Sequence, residues 1–254
     1  MYFPFIRVRV EAGGSPGMCV DVLVGAMPGA GCQGKGAEGW PYSNVVRRIG
    51  DHQILRKETL MAKAGDTIDN PVTGERIVVL QSARETDGEL FAFELSVKPH
   101  GFVSAEHIHL KQEETFEVTR GTIRFRINGQ EADAVVGQGV VVPSGTPHSW
   151  WNESSEEVAA IVWLRPALNT ETFFETFFGL ARDGKTNKRG LPNIFQTAVL
   201  VTDYQDVTKV LLPPPLPFLL KLLTPLARLL GYRSSYPQYS SAQPRPEAEL
   251  LADA

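Results

Sequence analysis

The chain has 254 residues and a formal charge of −4, from 25 basic and 29 acidic side chains, a balance that leaves no basic footprint for nucleic acid. Its two cysteines, Cys19 and Cys32, are too few for a disulfide scaffold. No clean apolar run reaches the ~20 residues of a membrane-spanning helix, and the N-terminus lacks the pattern of a secretory signal, so the expected location is cytoplasmic.

Residues 1–60 are glycine-rich and weakly periodic, with runs such as Ala26-Met27-Pro28-Gly29-Ala30-Gly31-Cys32 and Gly34-Lys35-Gly36. They are expected to form a poorly structured extension. Lys57-Glu58 can be encoded by a ribosome-binding sequence just upstream of Met61, so natural translation is expected to start at Met61.

Residues 61–168 read as one small β domain. Asp69-Asn70-Pro71 and Thr73-Gly74-Glu75 are turn signals at its entrance. Ile123, Phe125 and Ile127 alternate with Thr122, Arg124 and Arg126, the period of a half-buried strand whose arginines face solvent. Asn128-Gly129 is a hairpin signal. Gly137-Gln138-Gly139 and Pro143-Ser144-Gly145 bracket a strand over 140–142, and the apolar run 158–164 ends at Arg165-Pro166. Many short strands joined by Gly and Pro turns predict a barrel or sandwich rather than alternating β and α units.

Residues 169–231 turn helical. Asn169 or Thr170 can cap a helix from about Glu171, with Phe173, Phe174, Phe177, Phe178 and Leu180 as its apolar face and Gly184 as its stop. A second helix over 191–201 competes with the β-branched residues there. A proline-rich segment then leads into an apolar run over 218–230 that Lys221, Pro225 and Arg228 interrupt. A helix pair in this last region is expected to pack on the outside of the barrel or on a partner subunit. Membrane-surface contact through 211–230 is the less favoured option. Residues 232–254 read as a flexible tail.

Four side chains carry the chemistry: His107, His109, Glu114 and His148. His107 and His109 are two apart, so on an extended strand they project to one side of a sheet. Glu114 follows the next reversal, and His148 comes directly after a Pro-Ser-Gly-Thr-Pro turn. Three imidazoles and a carboxylate suit one divalent ion of Fe, Mn, Ni, Cu or Zn. His52 and His100 read as ordinary surface or core residues.

The spacing resembles both signature motifs of the cupin superfamily. The first runs Gly101, His107, His109, Glu114, Gly121; the second runs Gly137, Pro143, Gly145, His148, Asn152. The resemblance covers roughly residues 66–167. It implies an all-β core, a small double-stranded β-helix or jelly-roll-like barrel present once in the chain, to which the residues after 168 add a C-terminal α-helical extension. It also implies that His107, His109, Glu114 and His148 are the metal ligands. Glu113 is the one rival, and Glu114 is preferred because it keeps the interval to Gly121.

Trp150 shares strand parity with His148 and is expected to face the metal. Phe116, Phe125, Trp150 and Trp163 are the expected substrate-pocket residues. Such a site suits a metal-dependent dioxygenase acting on an enol, catechol or diketone-like substrate. A Lewis-acid isomerase or cyclase would need a second titratable group, for which Glu113, Glu94, Glu106 or a metal-bound hydroxide would have to serve. A non-catalytic metal or small-molecule-binding protein is the third reading. A homodimer is expected from the exposed barrel faces and the apolar C-terminal segment.

Overall fold

A computed structural model of the protein describes residues 62–240 and the backbone of Phe5–Arg7. The expectations for the remainder of 1–61, including the start at Met61, the two cysteines and His52, lie outside the described residues, as do those for 241–254.

Two sheets face each other. The larger runs in the order β1 (Phe5–Arg7), β9 (Gly139–Val142), β6 (Glu113–Arg120), β11 (Val158–Arg165), β4 (Phe91–Val97), β3 (Glu75–Gln81), β2 (Thr67–Asn70). The smaller runs β12 (Lys209–Val210), β5 (His107–Ile108), β10 (His148–Trp151), β7 (Thr122–Ile127), β8 (Gln130–Val135). Pairing is antiparallel throughout, except that β1 lies parallel to β9. The result is the expected all-β barrel with helices after it.

Alternation decides what each strand buries. On β7, Ile123, Phe125 and Ile127 are buried, while Arg124 reaches Glu153 at 2.6 Å and Arg126 reaches Glu131 at 2.5 Å on the outer face. Asn128 and Gly129 both take positive φ, +50° and +78°, the backbone that a tight two-residue hairpin demands. Gly121 has φ +72°, and a Cβ there would sit 2.7 Å from Val158 Cγ1, so a side chain is excluded twice over. Between the sheets, Phe93, Leu95, Phe116, Phe125, Val142 and Val162 belong to one continuous core. Full burial of each such side chain is worth roughly 1.5–3 kcal/mol.

The helices are α1 (Thr170–Arg182), α2 (Ile194–Asp203) and α3 (Leu216–Leu229). Asn169 occupies the cap position of α1 but makes no side-chain cap bond; its φ −98° and ψ 31° depart from the extended backbone of a capping residue. Asn193 does cap α2, its side chain accepting from the amides of Phe195 and Gln196.

One expectation for this region needs correction, and the apolar face of α1 finds its cover in the barrel core. Phe174 and Phe177 pack against the barrel core and Phe178 is part of it, with Phe174 edge-on to Phe93 at 5.6 Å. Residues 232–240, expected as the start of a flexible tail, are docked. Tyr239 is buried in a second core with Leu180, Leu200 and Tyr204, seated against Gly179, where a Cβ would strike its ring. A large ring opposite a glycine supplies the anchorage that composition alone did not reveal.

Candidate metal centre

The four expected ligands come together across both sheets. His107 and His148 face each other as a register pair of β5 and β10, with ring centroids 4.3 Å apart. His109 lies just beyond β5, and Glu114 enters from β6 of the opposite sheet. One ligand atom from each lies within 4.8 Å of all the others, close to the ~4 Å span of donors held about 2.0–2.2 Å from a single ion. Glu113, the neighbour on the other parity, is exposed, which leaves Glu114 as the carboxylate of this cluster.

The outer partners fix how the rings are presented. Nδ1 of His107 bonds the carbonyl of Ala105 at 3.0 Å, and Nδ1 of His148 bonds that of Thr146 at 3.0 Å. Nδ1 of His109 bonds the carbonyl of Val207 at 2.5 Å. A carbonyl only accepts, so each Nδ1 carries a proton and each Nε2 is turned inward to the cluster. This is the outer-shell arrangement that orients metal-ligating histidines.

The inward atoms fit a cation. His148 Nε2 is 2.8 Å from Glu114 Oε2, so a lone pair faces a carboxylate oxygen unless something positive lies between them. His109 Nε2 is 3.3 Å from the same oxygen, within ion-pair range, yet it is buried with no hydrogen-bond partner of adequate geometry. Burial, reinforced by the neighbouring His148 and His109, pushes His107 well below the usual imidazole range. Burial alone would raise the Glu114 carboxyl, but His109 and His148 beside it hold it well below the carboxylate range. Burial also disfavours the charged form of His109, and the Glu114 carboxylate outweighs this and lifts it. The set therefore holds one firmly ionised carboxylate and one ring kept neutral, the protonation states that divalent metals take.

A cavity of about 120 Å³ opens on this cluster, lined by His107, His109 and Glu114 together with residues of β3, β4, β6, β10, α1 and α2. Of the expected pocket residues, Phe116 and Trp150 line it. Phe125 does not; it sits behind the wall, its ring edge-on to Phe116 at 5.0 Å. Trp163 does not either. On β11 the core side carries Val162 and Leu164, so Trp163 occupies the opposite parity and is half-buried on the other face.

Sequence reasoning missed three parts of the site. The first is the aromatic wall of Phe173, Phe174, Phe177 and Phe178. The second is the C-terminal connection: β12 pairs with β5, setting Val210 opposite His107, and Val207 supplies the carbonyl that orients His109.

The third is Glu75, which lines the cavity at 5 % exposure and accepts from Thr73 Oγ1 at 2.6 Å. Burial pushes its carboxyl up to about 8, the Thr73 bond partly countering this. Its signal was parity, since Glu75 shares a strand face with Ile77 and Val79, both buried. The expected acid–base candidates Glu94, Glu106 and Glu113 are absent from the cavity lining.

Residues 93–164 match the family model described as Cupin domain. A curated relative, the oxidoreductase iacF of Pestalotiopsis fici, is 25 % identical over 157 residues, 56 % of this chain and 74 % of the relative. A sugar phosphate isomerase from Silicibacter pomeroyi is similar in structure, with 20 % identity and a TM-score of 0.34 over 38 % of this chain. The match spans 62 % of that isomerase, less than two thirds of its length. A predicted oxalate decarboxylase from Thermotoga maritima has 18 % identity and a TM-score of 0.35, over 36 % of this chain and 80 % of its own.

Proposed function

Because the barrel of this chain belongs to the cupin superfamily, we propose that it is a metal-dependent oxidoreductase, a dioxygenase acting on a small, largely apolar enol, catechol or diketone. The observation that carries this reading is an apolar, aromatic-walled cavity ending on His107, His109 and Glu114 of the four-residue cluster. His107, His109, Glu114 and His148 would hold one divalent ion, leaving positions for an oxygen-chelating substrate and dioxygen. The protein's own contribution is placement and dryness. Phe116, Trp150, Phe174 and Phe177 give a planar organic substrate apolar contact and exclude the water that would compete for the ligands. The oxidoreductase relative supports the same class at a distance.

Glu75 favours a second reading, a Lewis-acid isomerase or cyclase. A carboxyl lifted towards neutrality in the same cavity can give or take a proton at working pH. The readings separate in one experiment. Ferrous-loaded protein is assayed in an oxygen electrode against catechols, flavonols and β-diketones, with and without Glu75→Gln. Oxygen uptake that survives Glu75→Gln supports the dioxygenase. Anaerobic turnover lost in Glu75→Gln supports the proton-transfer enzyme. No oxygen uptake with any of these substrates would overturn the first reading.

A further inference from the structure

α3 is turned inside out. It packs on α2 and buries Leu220, Thr224 and Ala227, with Thr224 Oγ1 donating to the Ala198 carbonyl at 3.1 Å. α2 in turn lines the cavity through Thr197, Leu200 and Val201, so α3 is the outer layer over the barrel mouth. The side of such a helix facing away from the protein should be polar. Here it carries Phe218, Leu219, Leu222, Leu226, Leu229 and Leu230, each between 50 % and 87 % exposed. At 100° per residue these six fall within an arc of about 120°, opposite the buried stripe. Isolated exposed leucines are ordinary, but a contiguous apolar strip marks an interaction surface.

Charge selects the occupant. Between Lys209 and Arg233 there is no Asp or Glu, and the charged residues are Lys209, Lys221, Arg228 and Arg233. Lys221 and Arg228 lie along one edge of the apolar strip, and Arg228 also reaches Asp203 of α2 at 2.5 Å. An antiparallel twofold pairing of this face would set the Lys221–Arg228 edges of two copies side by side, with Asp203 already engaged by Arg228 and no acid on α3 itself to meet Lys221. An anionic lipid surface satisfies both features, taking leucines into the acyl boundary and lysine and arginine at the headgroups. At 14 residues α3 cannot span a bilayer, and no helix among the described residues is long and apolar enough to do so. It can lie in the plane of one.

We propose that α3 docks the protein on the surface of an anionic membrane, with Phe218, Leu222, Leu226 and Leu229 as the inserted residues. The barrel mouth is thereby held beside the bilayer, where apolar molecules concentrate. The proposal does not depend on the metal or the reaction.

Its test is flotation of the full chain with phosphatidylcholine vesicles, with and without phosphatidylglycerol. The wild type should float with the anionic vesicles and detach as salt is raised. Leu222→Glu and Leu226→Glu, both at exposed positions that leave the buried stripe intact, should each weaken partitioning by about tenfold or more. Lys221→Glu should weaken it through charge alone. A chelated sample should float as well as a metal-loaded one. A wild type that stays unbound overturns the proposal, as do glutamate variants that float like the wild type. A wild-type dimer that Leu222→Glu converts to monomer, with neither form floating, would assign the face to a second copy of the chain.

Discussion

Replacing Glu75 by glutamine tests whether a carboxyl is stored neutral in the cavity. Glu75 is 5 % exposed, and burial lifts its pKa from the ordinary 4.5 to about 8. The unfolded chain releases this proton near the ordinary value, whereas the native chain keeps it until the raised one. Between those values the native state binds more protons than the unfolded state, so stability is full at the acid end and falls as pH rises. At about 1.4 kcal/mol for each pH unit between the two pKa values, the loss attributable to Glu75 is about 3–5 kcal/mol. Glu171 acts in the same direction: burial lifts it to about 7, and its Oε2 is buried without a partner. Glutamine keeps the volume and an oxygen that accepts from Thr73, but has no proton to release. Urea denaturation of chelated protein across about pH 5 to pH 8 should show Glu75→Gln losing less stability than the wild type, the two diverging towards the alkaline end. Parallel profiles, or a wild type that gains stability across this window, would refute the argument.

Metal binding is checked most directly by His107→Ala and His148→Ala. A metal present at 100 times its Kd stabilises a native protein by about 2.7 kcal/mol, roughly 5–10 °C in Tm for a chain of this size. That shift should appear in wild-type thermal melts and vanish in both variants, and elemental analysis should show matching metal loss. Equal shifts in all three proteins would remove these histidines from the ligand set. Asn152, the last residue of the second motif, is structural. Its side-chain amide donates to the carbonyls of Val97, Lys98 and Glu156, and its Oδ1 accepts from the amide and hydroxyl of Ser154. Asn152→Ala should cost about 2–4 kcal/mol in urea denaturation by leaving buried carbonyls unmatched, and a change below about 0.5 kcal/mol would contradict that role.

How far the sequence discloses this protein depends on whether a residue's neighbours reveal its parity. Glu114 could be preferred to Glu113 because it keeps the fixed interval to Gly121, and β6 buries the one and exposes the other. Trp150 could be aimed at the cavity because His148, two residues earlier, set the face. Trp163 offered no such anchor. β11 lies between β4 and β6, and its almost unbroken apolar run hides which side faces the cavity. Glu75 was obscured by its place beside a polar turn, although its alternation with Ile77 and Val79 puts it on the buried face. The aromatic stripe of α1 was plain, but amphipathicity says that a face is covered and not by what. Only the tertiary arrangement turns those phenylalanines from a helix seam into the cavity wall.

The barrel and the segment after residue 168 meet at the site. His109 is oriented by the carbonyl of Val207, 98 residues further along the chain, and β12 extends the sheet beside the first ligand strand. Both contacts are made by backbone, which every residue type offers, so no side-chain pattern can announce them. The four clustered side chains belong to the barrel motifs, but the bond that orients the His109 ring belongs to the segment that follows. That segment also carries the outward leucines of α3, joined to it through α2. The cavity wall, the ligand support and the exposed apolar face therefore form one layered unit. A perturbation of how α2 sits on the barrel should reach the cluster through Val207 and its bond to His109.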